Sequence, residues 1–220
     1  MAQGERRHIP EPSLARLHRY LLILRRLRRQ GVEVVSSEEL GREAGTASAL
    51  VRKDFSYLDC AGQRGVGYEV DRLVVTLEGL LGPAEPRALI VVGAGNLGGA
   101  LAGYAGFELQ GYRVVGLFDN NPARVGHHLQ GLVVRHVKEL PEFVASTGAS
   151  LAVLAVPAAR AQEAADLCVQ AGVRGLLNFA PTQVKTPPQV RVRQVDLSEE
   201  LQILNYQLSR EAEEPSGSEG

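Results

Sequence analysis

The feature that most constrains this chain is a glycine-rich turn between a short apolar run and a helix-like segment. The turn, Gly93-Ala94-Gly95-Asn96-Leu97-Gly98, follows apolar residues 88–92, and the next apolar run, 114–118, ends in Asp119. In dinucleotide-binding folds the first glycine permits a tight turn, the second lets the backbone approach a pyrophosphate, and the third lets helix pack on strand. The acid accepts hydrogen bonds from the adenosine ribose and repels a 2′-phosphate. The pattern therefore predicts binding of NAD(H) rather than NADP(H).

Strands and helices alternate from residue 87 onward. Predicted strands lie at 88–92, 113–118, 132–134, 151–156, 175–179 and 190–195, and predicted helices at 96–109, 138–146 and 158–171. The fold class is α/β, with an open, largely parallel, doubly wound Rossmann sheet over residues 83–196.

Ligands of such a sheet bind outside the carboxyl ends of its strands. Besides the turn and Asp119, the predicted cofactor-binding residues there are Asn120, Ala155, Val156, Pro157, Asn178 and Phe179. Apart from Asp119, these positions supply no titratable side chain that could exchange a proton with a substrate. We therefore expect a dinucleotide that is bound but not consumed, and not an enzyme.

Residues 1–82 have a different character and carry an excess of basic residues, 12 Lys and Arg against 8 Asp and Glu over residues 1–68. A leucine-periodic basic helix is predicted at 13–30, and Ser36 with Glu39 predicts a capping box that starts a second helix. Gly45 ends that helix, and Thr46 is the expected cap of a third. Leu50, Val51, Phe55 and Leu58 form its predicted inner stripe.

This order is typical of a helix-turn-helix whose last helix enters the major groove. Residues 60–68 then predict a hairpin, the wing of a winged-helix domain, and helix 71–81 connects it to the sheet. The predicted DNA-binding residues are Arg16, Ser36, Ser37, Ser48, Arg52, Lys53, Ser56, Tyr57, Gln63 and Arg64. The alternative is a helical hairpin with a solvated basic face that touches no nucleic acid.

A last helix is predicted at 197–210, capped by Asp196 or Ser198. Its stripe of Leu197, Leu201, Leu204 and Leu208 fits either a dimer interface or packing on the chain's own sheet. Residues 211–220 are predicted to be disordered.

Two cysteines without metal-ligand spacing, Cys60 and Cys168, predict neither a metal site nor a disulfide framework. The chain has no apolar run long enough to span a bilayer and does not begin like a signal peptide, so we expect a cytoplasmic protein without membrane contact.

Together these residues resemble the redox-sensing transcriptional repressor family Rex. The matching segments are Ser36-Ser37, Val51 to Tyr57, Gly65 to Tyr68, Gly93 to Gly98, Phe118-Asp119, Val156 to Ala158, Leu177 to Phe179 and Val195 to Leu197. The resemblance implies a homodimer with a swapped C-terminal helix and binding to a pseudo-palindromic DNA operator when NADH is scarce. It implies release when NADH binds, with NAD+ competing for the same pocket and permitting DNA binding.

The resemblance also implies a switching network of Arg16, Tyr104 and Asp196, in which the acid pairs with the arginine in one state and with the tyrosine in the other. Tyr104 is thereby added to the predicted cofactor-binding residues. Two rival interpretations are an NAD-dependent oxidoreductase whose N-terminal helices only dimerise, and a CoA- or nucleotide-binding regulatory subunit of a larger enzyme.

Overall fold

The computed structural model of the chain describes residues 9–58, 60, 62–63, 66–83 and 85–213. It divides into two compact units, Met1–Ala84 and Glu85–Gly220. The predicted wing residue Arg64 and residues 214–220 of the predicted tail lie outside the described residues.

The N-terminal unit consists of helices and one short antiparallel strand pair. Its elements are α1 Glu11–Arg29, β1 Val34–Val35, α2 Ser37–Ala44, α3 Ser48–Phe55, β2 Tyr68–Glu69 and α4 Val70–Leu81. Strand β1 pairs with β2, so after α3 the chain returns to lie beside the strand that precedes α2. Around one apolar core, Tyr20 and Tyr68 each meet the ring of Phe55 edge to face, at centroid distances of 5.6 and 4.9 Å.

The turn between α2 and α3 corrects the prediction that Thr46 caps the third helix. Gly45 adopts the left-handed conformation with φ of 64°, and the Thr46 N–H donates to the Gly41 carbonyl. Thr46 therefore closes α2 in a Schellman-type turn. Helix α3 starts at Ser48 after Ala47, without a side-chain cap. Leu50, predicted to face inward, is 39% exposed.

The C-terminal unit contains a seven-stranded sheet of order β5-β6-β4-β3-β7-β8-β9, parallel except for β5. Its strands are β3 Arg87–Val92, β4 Tyr112–Asp119, β5 His128–Leu129, β6 Leu132–His136, β7 Leu151–Leu154, β8 Gly175–Asn178 and β9 Arg191–Gln194. Its helices are α5 Asn96–Ala102, α6 Ala105–Leu109, α7 Leu140–Thr147, α8 Ala158–Gln170 and α9 Leu197–Glu213, with a 3-10 turn at Val137–Glu139. The predicted doubly wound topology is confirmed.

The predicted single helix 96–109 is wrong, because α5 ends at Ala102 and α6 begins at Ala105. Glycines at 98, 99, 103 and 106 lower the helix propensity of this segment. The interruption leaves Tyr104 immediately before α6.

In helix α9, every residue from 197 to 210 is exposed. The leucines of its predicted stripe, Leu197, Leu201, Leu204 and Leu208, are 61, 67, 50 and 57% exposed. This stripe is therefore not packed on the chain's own sheet. The helix continues to Glu213, three residues into the predicted tail, because Glu and Ala favour helix.

Candidate nucleotide cavity and DNA-recognition face

The glycine-rich turn after β3 has the backbone geometry that its spacing predicts. Gly93 has φ of 103°, and a Cβ there would lie 2.3 Å from the Ala155 carbonyl oxygen. A Cβ on Gly98 would lie 1.7 Å from the Gly93 oxygen, so only glycine lets α5 pack this closely. Gly95 is open, with the Arg124 guanidinium as the nearest group, 3.9 Å from a Cβ built there. The turn thus leaves room for a phosphate at its middle glycine.

Asp119 is held at the end of β4 by three donors. The N–H groups of Ala94 and Asn121 each donate to its carboxylate at 2.8 Å, and Arg124 donates at 3.0 Å. Burial favours a higher pKa, but the two backbone donors and Arg124 outweigh it and hold the pKa of Asp119 below its usual value. A carboxylate has about four lone-pair positions, so one acceptor position remains for a ligand hydroxyl.

A cavity of about 420 Å³ opens at the carboxyl ends of β3, β4 and β7, where this fold binds ligands. Nine predicted cofactor-binding residues line it: Gly93, Gly95, Asn96, Leu97, Asp119, Asn120, Ala155, Val156 and Pro157. The chain folding therefore brings together the glycine turn, the acid and the segment after β7, which are far apart in sequence.

The other five predicted cofactor-binding residues do not line this cavity. The Ala94 N–H holds Asp119, and Gly98 packs against Gly93. Asn178 is fully buried and bonds to the Thr182 carbonyl, the Gln194 side chain and the Ala180 N–H, which are structural contacts. Phe179 is half-buried in the sheet core, and Tyr104 is 58% exposed with its ring against Phe107. Any contact of these residues with a nucleotide stays a prediction.

Sequence reasoning missed the charged residues Arg124, Arg160 and Glu163 in the cavity wall. Arg124 lies only five residues after Asp119 in a proline-containing turn, and a basic residue so close to the predicted ribose-binding acid was the available signal. Arg160 and Glu163 pair with each other at 3.0 Å on α8. Among the described residues that line the cavity, none is His, Lys or Tyr.

On the N-terminal unit, α3 presents Arg52 and Lys53 to solvent, with Ser56 directly after the helix and Ser48 half-buried at its start. Arg52 donates to Ser37 at 2.9 Å and to Glu38 at 3.1 Å, so its guanidinium is oriented by the start of α2. This contact with Glu38 was not predicted. It places an acid beside the basic face of the helix.

The remaining predicted DNA-binding residues lie around this helix. The capping box at Ser36 is confirmed, with the Glu39 N–H donating to the Ser36 hydroxyl. Tyr57 is half-buried in a turn beyond α3. Gln63, at the predicted wing, is exposed and forms an isolated antiparallel bridge to Gly67.

Arg16 has a partner that the sequence did not indicate. Its guanidinium bonds to both carboxylate oxygens of Asp54, at 2.6 and 2.7 Å, and the Tyr20 hydroxyl donates to the same carboxylate at 3.1 Å. Asp54 is fully buried, yet these hydrogen bonds hold its pKa below the usual value against the effect of burial. Burial, and then the Asp54 charge, raise the pKa of Tyr20 to about 12. The ion pair connects α1 to α3.

The predicted switch residues of the C-terminal unit lie at helix starts. The Asp196 carboxylate accepts hydrogen bonds from the Ser198 N–H at 2.9 Å and the Ser198 hydroxyl at 2.5 Å. These contacts lower the pKa of Asp196. Tyr104 precedes α6.

Cys60 and Cys168 are both buried and free, and burial raises the pKa of the Cys168 thiol to about 12. Within the described ranges, no group of three or more His, Cys, Asp or Glu side chains could hold a metal ion. No helix of the described part is long and apolar enough to cross a membrane.

Comparison with known proteins covers both units. A family model described as "CoA binding domain" matches residues 84–182, and one described as "Putative DNA-binding protein N-terminus" matches residues 8–56. The redox-sensing transcriptional repressor Rex of Streptomyces avermitilis is 48% identical over 97% of this chain and 85% of its own length. The Rex 1 repressor of Thermotoga maritima is 42% identical over 92% of this chain and 97% of its own.

Solved structures give the same result. The crystal structure of RSP, a Rex-family repressor, has a TM-score of 0.86 at 33% identity over 93% of this chain and 96% of RSP. RSP has also been solved with NAD+ and operator DNA, at a TM-score of 0.86, and with NADH, at 0.84.

Proposed function

Because the chain belongs to the Rex family of redox-sensing transcriptional repressors, we propose that it binds operator DNA as a homodimer and is released when NADH enters its cavity. The observation that carries this proposal is that the relatedness spans both units, the one with the recognition helix and the one with the nucleotide cavity. The relatives that match nearly the whole chain are named repressors, not enzymes. A repressor acts where the DNA is, in the bacterial cytoplasm.

The residues of the cavity fit a dinucleotide. The open face of Gly95 leaves space for a pyrophosphate, and the remaining acceptor position of Asp119 suits a ribose hydroxyl. The nucleotide acts as an effector and is not consumed. Its nicotinamide is neutral in NADH and cationic in NAD+, and burying a cation against an apolar side chain such as Val156 costs more free energy. This difference favours NADH.

The homodimer is supported by helix α9. A stripe of four half to two-thirds exposed leucines is costly in water, and a second copy of the same helix is the symmetric way to bury it. Two recognition helices of a dimer read half-sites about one DNA turn, or a multiple of it, apart. A nucleotide that favours another subunit arrangement removes one helix from register.

For the switch we propose that Asp196 exchanges partners between Tyr104 and Arg16. In the present structure Arg16 is already paired with Asp54, so Asp196 would join an existing ion pair rather than bind a free guanidinium. Tyr104→Phe keeps the ring and removes the hydroxyl. We expect this variant to bind NADH normally but to release operator DNA poorly.

For the DNA face, Arg52→Ala and Lys53→Ala should weaken operator binding and leave NADH binding unchanged. A base contact costs about 1–3 kcal/mol and relaxes sequence preference, whereas a phosphate contact flattens the salt dependence by about one unit of slope. Binding of both variants at the wild-type level would exclude α3 as the reading helix.

The proposal is tested by a mobility-shift assay with DNA from upstream of respiratory or fermentative genes, adding NADH, NAD+ or CoA in turn. CoA is included because the matching family model is described as CoA binding. We expect a shifted band that disappears with NADH and persists with NAD+. A band removed by CoA but not by NADH, or no shift at all, would contradict the proposal.

A further inference from the structure

We infer that Arg124 is a specificity-determining residue that weakens the discrimination of the cavity against a 2′-phosphate, and so sets its preference between NADH and NADPH. This inference rests on the proposed nucleotide binding and adds to it a residue that the glycine-and-acid pattern does not contain. That pattern alone predicts strong exclusion of NADPH, because the charge of Asp119 repels a phosphate.

The position of Arg124 changes this expectation. Its guanidinium donates to the Asp119 carboxylate at 3.0 Å, at the position where the fold holds the adenosine ribose. The same guanidinium lies 3.9 Å from a Cβ built on Gly95 and forms part of the cavity wall. The acid that would repel a 2′-phosphate is therefore paired with a cation on the ligand side.

The turn that carries Arg124 is fixed before any ligand binds. The Asn121 side chain accepts from the Ala123 N–H at 2.9 Å, and the Asn121 carbonyl accepts from the N–H groups of Arg124 and Val125. The Gly126 N–H donates to the Val134 carbonyl of β6. The Arg124 side chain is nevertheless 47% exposed, so it can meet a ligand without unfolding the turn.

The charges of the cavity wall support the same conclusion. Its acids are Asp119 and Glu163 and its bases are Arg124 and Arg160, so the titratable side chains sum to no net charge. An arginine beside the ribose is also the usual means by which this fold accommodates a 2′-phosphate. Asp119 keeps two backbone donors when Arg124 is removed, so its charge persists and then acts on the phosphate unopposed.

The experiment compares the dissociation constants of NADH and NADPH for the full-length wild type, Arg124→Gln and Arg124→Lys, by titration calorimetry. In Arg124→Gln we expect the NADPH-to-NADH ratio of dissociation constants to rise about tenfold, the size of one charge-assisted contact at a partly exposed site. Arg124→Lys keeps the charge and should stay near the wild-type ratio. Arg135→Gln is the matched control, because Arg135 is 44% exposed, makes one ion pair to Glu139 and does not line the cavity.

Equal weakening of both nucleotides in Arg124→Gln, as expected if the arginine only contacts the adenine or the shared phosphates, would overturn the inference. Dissociation constants of both nucleotides that stay at their wild-type values would overturn it as well. In both cases NADH still binds, and the proposed function stands. A wild type that binds neither nucleotide would overturn the inference and the proposed function together.

Discussion

Each unit contains a buried aspartate paired with an arginine, but the two carboxylates are held differently. Asp54 in the N-terminal unit is bound by side chains, chiefly Arg16 and Tyr20, whereas Asp119 in the C-terminal unit is bound by two backbone N–H groups and Arg124. Backbone donors come with the fold, while side-chain donors are lost by one substitution. We infer that burial of the Asp54 charge depends on Arg16, whereas Asp119 stays hydrogen-bonded when Arg124 is replaced.

The largest expected effect separates the two arginines directly. Arg16→Ala leaves the Asp54 charge buried with only hydroxyl donors, and removing one partner of a buried ion pair costs about 3 kcal/mol or more. Arg124→Ala removes a partner that is half-exposed, and we expect a loss below about 1 kcal/mol. Chemical denaturation followed by circular dichroism measures both. Equal losses would show that the backbone donors do not protect Asp119.

The role of Arg16 at Asp54 makes Arg16→Ala an ambiguous test of the proposed switch. Loss of operator binding in Arg16→Ala would report damage to the DNA-binding unit as much as loss of a partner for Asp196. The Arg16–Asp196 coupling is therefore better measured in a double-mutant cycle of Arg16→Gln with Asp196→Asn, because the effect of Arg16→Gln on Asp54 is present on both sides of the cycle and cancels. Additive effects on operator affinity would leave the proposed exchange without support.

A smaller effect is expected from Asp119→Ala on ligand binding. Loss of a charged acceptor to the ribose should cost about 1.5–3 kcal/mol of NADH affinity, and the variant should remain on operator DNA at NADH concentrations that release the wild type. Calorimetry and the mobility shift measure the two effects. If NADH binds the variant as tightly as the wild type, Asp119 serves only to hold the Ala94 and Asn121 N–H groups.

The smallest effect concerns pH. The pKa values of Asp54 and Asp119 are both lowered by folding, so their stabilising contributions are complete above the usual Asp pKa of about 3.9 and are lost as the pH falls through the lowered values. The free energy of unfolding should therefore decrease on acidification from pH 6 to pH 3. The decrease should be smaller in Asp54→Asn, which lacks one of these carboxylates. An identical decrease would mean that Asp54 does not contribute to the acid sensitivity.

The same two sites show what the sequence could predict. The turn at Gly93 and the acid at Asp119 are recognisable because local backbone requirements and a fixed strand-to-strand spacing determine them. Asp54 was missed because a polar residue in a short basic helix looks exposed, although it follows the buried Val51 by three positions, on the inner face. Its partner Arg16 is 38 residues away, a distance at which pattern carries no pairing information.

Helix α9 illustrates the other limit. Its leucine spacing predicted an apolar face but not the surface against which that face packs. Packing on the sheet of the same chain and packing on a second copy both require this spacing. The structure excludes the first, because the stripe is exposed. The glycines at 98, 99, 103 and 106 indicate a break between α5 and α6. The helical spacing of the apolar residues around them favoured one continuous helix instead.

Thermodynamic linkage between NADH binding and operator binding is the most direct test of the proposed repressor function. If NADH in the cavity lowers the affinity for operator DNA, then operator DNA must lower the affinity for NADH by the same factor. The NADH dissociation constant of the wild type should therefore be measured by calorimetry with and without saturating operator duplex. We predict weaker NADH binding in the presence of the duplex, by the factor by which NADH changes the affinity for DNA. An NADH affinity that is the same with and without operator would contradict it.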